Sequence, residues 1–184
     1  MIDEASNTAR SRIAIDGAQC TGKTSLLDQL RNVYSGRLRF IPEASRIVAP
    51  RFSIFSHKHW KPVLADAQLL ANFFKMEEEW LMQQELPGRF VVDSSLMLIQ
   101  AYKLYFGHAK DESLLRQDRY DLILYCPPTN TFVADGFRFP TGRLKVDELY
   151  RQILRDYFRG RVLELPVGAE RLPAAIAAIA NALE

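Results

Sequence analysis

The sequence predicts an α/β fold of three layers: a five-stranded parallel sheet with helices on both faces. Three observations predict it. At residues 13–26 (IAIDGAQCTGKTSL) a short apolar strand runs into a glycine loop and then into a helix. Strand-like and helix-like stretches alternate along the chain, as the right-handed crossovers of a parallel sheet require. One stretch, Tyr120 to Cys126 (YDLILYC), is almost continuously apolar, the pattern of a strand buried on both faces.

Taken in order, residues 1–10 read as a flexible tail and residues 11–184 as a single domain. The first strand is Ile13 to Ile15. Its helix runs from Lys23 to Tyr34, with Leu26, Leu27, Leu30 and Val33 on one face, and stops at Ser35-Gly36. Leu38 to Ile41 is the second strand, ended by Pro42-Glu43. Residues 44–61 are mixed, and Pro50 interrupts any helix there. A long helix is expected from Pro62 to Glu85, its run Glu77, Glu78 and Glu79 forming a solvated face. Arg89 to Asp93 is the third strand. Helices follow at Leu96 to Phe106 and Glu112 to Gln117, then the fourth strand, Tyr120 to Cys126. A basic segment fills residues 129–145, Val146 to Phe158 is a helix, Arg161 to Leu165 the fifth strand, and a small apolar helix closes the chain.

The loop fits G-x-x-x-x-G-K-[ST] with Gly17, Gly22, Lys23 and Thr24. Two glycines let the backbone curl until several N–H groups face one anion, and the next helix adds the positive end of its dipole. Gly17, Ala18, Gln19, Cys20, Thr21, Gly22, Lys23, Thr24 and Ser25 are therefore the expected nucleotide cradle. Lys23 reaches the β/γ-phosphates and Thr24 is a ligand for Mg²⁺. The fold is thus a P-loop NTPase fold, and the chain binds a nucleoside triphosphate.

Ligands of such sheets sit outside the carboxyl ends of the strands. Glu43 and Asp93 both stand there. Glu43 reads as a substrate contact or general base, and Asp93 as a second Mg²⁺ ligand or a proton acceptor. In the basic segment, Arg138 and Arg143 are placed to neutralise charge on a migrating phosphoryl group. Residues 46–61 mix Arg46, Arg51, Lys58 and Lys61 with Phe52, Phe55 and Trp60, a combination suited to stacking on a base or gripping phosphate. His57 and His59 do not share a helix face and make a poor metal pair.

The formal charge of +2 is too mild to demand a nucleic-acid partner, and 48% hydrophobic residues exclude a disordered chain. Cys20 and Cys126 suggest reduced thiols, not a disulfide framework. No apolar run is long enough to span a membrane, so no membrane partner is expected, and a cytoplasmic location is.

Several segments resemble the P-loop nucleoside and nucleotide kinases, and especially the ribosylnicotinamide-kinase-like AAA-type domains. These are IDGAQCTGKT, with Asp16 before the first glycine; PEASR, from Pro42 to Arg46; VVDSS, from Val91 to Ser95; and YDLILYCPP followed by VADGFR. The likeness extends from about residue 11 to 160. Many thymidylate and deoxynucleoside kinases have an Arg after the third-strand acid, where this chain has Ser94. The resemblance implies an ATP- and Mg²⁺-dependent phosphotransferase acting on a hydroxyl of a small nucleoside or nucleotide acceptor. Lys23, Asp93, Glu43, Arg138 and Arg143 would be its catalytic set. Two alternatives stay open: a kinase that phosphorylates a hydroxymethyl-pyrimidine within DNA, and an ATPase switch acting through a partner. The oligomeric state is open too, a homodimer included.

Overall fold

The computed structural model describes residues 11–85, 88–129, 136–137 and 141–184. Its strands are β1 (Arg12–Asp16), β2 (Arg39–Ile41), β3 (Phe90–Asp93), β4 (Leu122–Tyr125) and β5 (Arg161–Glu164). They form one parallel sheet in the order β2-β3-β1-β4-β5. The helices are α1 (Lys23–Val33), α2 (Ala44–Val48), α3 (Trp60–Ala65), α4 (Ala67–Gln84), α5 (Leu96–Tyr105), α6 (Glu112–Leu115), α7 (Arg143–Tyr157) and α8 (Arg171–Leu183). The N-terminal tail expected at residues 1–10 lies outside the described residues.

Side chains alternate across the strands and so build two cores. Ile13, Ile15, Val91, Leu122 and Leu124 pack under Leu26, Leu27 and Leu30 of α1 and Ala175 and Ile179 of α8. On the other face Ala14, Val92 and Ile123 meet Phe73 and Leu81 of α4, Leu98 of α5 and Tyr150 and Ile153 of α7. Strands β1, β3 and β4 are buried on both faces, which is why they read as continuous apolar runs. Strand β5 lies at the edge, and most of its residues are exposed. No helix among the described residues is long and apolar enough to cross a membrane.

The single helix expected at 62–85 is two. Asp66 leaves the helical region (φ −119, ψ 105), and its carboxylate caps α4 by accepting from the N–H groups of Gln68 at 2.9 Å and Leu69 at 3.0 Å. The apolar face continues across the break, so periodicity does not register it. Pro50 does end α2, but it opens a 3₁₀ turn at Ala49–Phe52 instead of a loop. Helix α7 begins at Arg143, three residues earlier than expected, because Gly142 takes the left-handed N-cap position (φ 82). Arg143 and Lys145 thus belong to a helical turn and not to a loose basic segment.

Candidate active site

The loop between β1 and α1 is folded as a cradle. Gly17 (φ 147), Cys20 (φ 59) and Gly22 (φ 82) all have positive φ, which turns successive peptide groups toward one side. Ala18 and Thr21 are buried, and the Thr21 hydroxyl donates to the Ala18 carbonyl at 2.9 Å. Lys23 is 3% exposed, and its Nζ donates to the carbonyls of Gly17 (2.9 Å) and Ala18 (3.2 Å). That ammonium is held where an incoming phosphate would exchange those carbonyls for charged oxygens. No acidic residue stands in the first turn of α1, so the helix itself does not cancel the positive end of its dipole. Ser25 is exposed on that turn. Both cysteines are free: Cys20 is half-buried in the cradle, and Cys126 is buried, its thiol pushed up to about 11 by burial.

Asp93 ends β3 with no exposure, and its Oδ2 accepts the Thr24 hydroxyl at 2.6 Å. A hydroxyl and a carboxylate are so brought to one point beside the loop. These hard oxygen donors fit Mg²⁺, which takes one or two protein oxygens and completes its shell with water and phosphate. Among the described residues no group of three or more His, Cys, Asp or Glu could hold a metal ion. Asp93 does not cap α5. Ser95 does, accepting from the Leu98 N–H at 3.2 Å while its own hydroxyl donates to Asp16 at 2.5 Å. The intervening Ser94 takes a left-handed conformation (φ 74), an uncommon one for a residue with a Cβ.

Beside the loop, under α2, α4 and α5, lies an apolar cavity. Trp60, Phe73, Phe74, Phe106 and Phe137 give it aromatic walls, and Gln19, Ser94, Tyr102, Glu43 and Glu77 supply its polar groups. Glu43 stands where the second strand was expected to place it, and its carboxylate accepts from Arg46 Nε at 3.3 Å. Glu77 is 5% exposed, so the expected solvated face of three glutamates is wrong for two of them. Glu78 is 8% exposed and takes hydrogen bonds from Gln100 (2.6 Å) and Lys103 (2.7 Å). Burial holds the Glu77 carboxyl well above the usual range, and the neighbouring charges of Glu43 and Glu78 push the same way.

The basic-aromatic stretch turns inward. Trp60 is buried and donates from Nε1 to the Phe137 carbonyl at 3.0 Å, and Phe52 packs edge-on against Phe73. Only Phe55 of its three aromatics is well exposed, at 67%. A stacking platform for nucleic acid is therefore not formed by Phe52 and Trp60. Arg143 donates to the Thr129 carbonyl. Arg138 lies outside the described residues.

Sequence reasoning missed Glu77, Tyr102, Phe137 and Arg171. Glu77 had a signal: it stands four residues from both Phe73 and Leu81, on the face that α4 buries. Arg171, the first residue of α8, donates to the Thr21 carbonyl at 2.6 Å and to the Pro166 carbonyl at 3.0 Å, tying the phosphate loop to the loop after β5. No spacing rule links it to the loop.

Residues 12–171 match the family model described as "AAA domain". No curated protein matches the chain. Among solved structures, the NadR protein in complex with NR is 22% identical, with a TM-score of 0.63 over 95% of this chain and 52% of that one. The chain thus spans about half the length of that protein. Thymidylate kinase from Candida albicans is 16% identical with a TM-score of 0.58, over 95% of this chain and 94% of that one. Shikimate kinase from Acinetobacter baumannii, in complex with shikimate, is 15% identical with a TM-score of 0.57, over 96% and 97% of the two chains. The chain shares its α/β fold with all three, two of which are kinases by name.

Proposed function

Because the chain belongs to the AAA domain family, we propose that it is a P-loop kinase that transfers the γ-phosphoryl group of ATP to a hydroxyl of a nucleoside-type acceptor. The observation that carries this reading is the shared wall at Gln19. One residue of the phosphate loop also lines an aromatic cavity that holds Glu43 and Ser94. A nucleotide switch needs the loop but has no use for such a cavity. Phosphoryl transfer needs both, since it is mostly positioning and charge neutralisation.

The chemistry of the cavity favours one kind of acceptor. Among the described residues no lysine or arginine lines the cavity, and Arg46 beside it is engaged with Glu43 at 3.3 Å and lies over the Phe137 ring at 5.2 Å. Two carboxyl groups set among aromatic rings suit a flat ring with positive charge. A ribosylnicotinamide-type nucleoside meets that description better than a nucleoside monophosphate does. In this reading the backbone of residues 17–24 and Lys23 hold the triphosphate. Thr24 and Asp93 would hold Mg²⁺, which when bound supplies neutralising charge to the phosphates. Glu43 lines the cavity and Asp93 does not, so Glu43 is the group that orients the acceptor hydroxyl and takes its proton, while Asp93 stays with Thr24 on the metal side. Arg143, at the start of α7, completes the cationic side.

The test is ATP consumption with Mg²⁺ against a panel of nucleosides, nucleoside monophosphates, ribosylnicotinamide, and DNA with and without hydroxymethylated pyrimidines. Expected is stimulation by a nucleoside, with phosphate recovered on it, and loss of turnover in Lys23→Ala. Slow hydrolysis unaffected by every acceptor would overturn the kinase reading in favour of a switch. Stimulation by hydroxymethylated DNA alone would overturn the small-molecule acceptor.

A further inference from the structure

Gln19 is 4% exposed, and both ends of its side-chain amide are engaged. The Tyr102 hydroxyl donates to Oε1 at 3.0 Å, and Nε2 donates to the Thr141 carbonyl at 3.1 Å. A carbonyl can only accept, so Thr141 dictates which end of the amide faces it, and the oxygen is left for Tyr102. The three partners belong to three working parts. Gln19 sits in the phosphate loop. Tyr102 lies on α5, the wall of the aromatic cavity. Thr141 immediately precedes Gly142, the cap from which α7 starts with Arg143.

A second contact ties the same parts together. A Cβ on Gly142 would fall 2.1 Å from the Tyr105 hydroxyl, so that turn is seated directly on α5. Tyr102 and Tyr105 are three residues apart and share a helix face. The cavity wall thus grips the start of α7 through Tyr105 directly and through Tyr102 by way of Gln19.

Nucleotide binding must disturb this point. Lys23 Nζ now donates to the Ala18 carbonyl, which belongs to the peptide group joining Ala18 to Gln19. When the ammonium turns to a phosphate, that carbonyl keeps the Thr21 hydroxyl but loses the charged donor, so the peptide to which Gln19 is attached is held less tightly. We infer that Gln19 is a positioning residue that couples nucleotide occupancy of the phosphate loop to the cavity wall on α5 and to the first turn of α7. Binding at the loop then sets the acceptor wall and the Arg143 turn in register before transfer. The inference rests on the nucleotide-site reading above.

Hydrogen exchange followed by mass spectrometry, with and without AMP-PNP and Mg²⁺, tests it. In the wild-type protein AMP-PNP should slow exchange in three segments: residues 17–26, 99–105 and 141–147. Gln19→Leu keeps the bulk and removes the amide's bonds to Tyr102 and Thr141, and it is compared with the wild type at AMP-PNP concentrations that saturate each protein. Its protection should be confined to residues 17–26. Tyr102→Phe removes one hydroxyl only and guards against a Gln19→Leu that does not fold. It should lose the protection at 99–105 and keep that at 141–147. Unchanged three-segment protection in both variants would overturn the coupling and leave the nucleotide site standing. So would wild-type protection limited to residues 17–26. No AMP-PNP-dependent protection anywhere in the wild type would overturn the nucleotide site, and the coupling with it.

Discussion

Gly17→Ala is the sharpest test of the phosphate loop, because its effect follows from two features of the geometry. Gly17 has φ +147, a region that residues with a Cβ rarely enter. A Cβ there would also lie 2.2 Å from the Cys126 carbonyl oxygen, where real Cβ atoms essentially never come within 3.0 Å. That oxygen is backbone at the end of β4, whose Cys126 N–H is bonded to the Asp16 carbonyl at 2.7 Å, so it has little room to retreat. The loop must move by nearly 1 Å, at the place where its N–H groups meet phosphate. Backbone strain and overpacking together should cost about 2–5 kcal/mol in stability. Misplacing the cradle by that distance should lower kcat/KM roughly a hundredfold. Urea unfolding and ATP turnover measure the two effects, and AMP-PNP titration reports on the cradle itself. Gly36→Ala is the control: φ is also positive (+74) but nothing lies within 4 Å, so it should cost about 1 kcal/mol and leave activity alone. A folded Gly17→Ala protein that binds AMP-PNP as tightly as the wild type would refute the reasoning.

Two acid-to-amide changes probe buried carboxyls. Burial pushes Glu85 from 4.5 to about 7, against the pull of Tyr120 and Arg119. The native state therefore holds the proton more tightly, and about 3 kcal/mol of stability present below pH 4.5 is lost as pH rises through 7. Glu85→Gln should remove that fall from urea midpoints compared across pH 5 to 8, and an unchanged slope would count against it. Glu77 is also raised, by burial first, and a cationic acceptor would favour its ionised form. The KM for ribosylnicotinamide should thus fall as pH rises in the wild type and flatten in Glu77→Gln, whereas the same pH profile with an uncharged nucleoside would sink the cation argument.

The parts legible in the sequence are those fixed by local chemistry. The phosphate loop needs glycines at set intervals, and an acid at the end of a strand is placed by the strand itself, so Glu43, Asp93 and the cradle could be read. Strands β1, β3 and β4 were legible because a strand buried on both faces has no polar side to confuse the pattern. What was missed depends on tertiary packing. Glu77 looked like one of three solvated charges because a charge run is usually exposed, and only the direction in which α4 turns makes it a cavity residue. The break at Asp66 is a side-chain cap inside an unbroken apolar face. Trp60 and Phe52 read as a surface platform, because composition does not say which way a short helix rolls.

The buried acid before the loop explains why these parts can act together. Asp16 has no exposure, yet it accepts the Ser95 N–H at 2.6 Å, the Ser95 hydroxyl at 2.5 Å and the Tyr150 hydroxyl at 2.5 Å. Burial raises its affinity for a proton, and these three donors oppose that shift. Through them one carboxyl joins the end of β1 to the N-cap of α5 and to the middle of α7. The phosphate loop, the cavity wall and the helix that carries Arg143 therefore share a single anchor beneath the site. With their bases fixed to each other, ligand-driven movement is left to the upper contacts, where Gln19, Tyr102 and Thr141 meet.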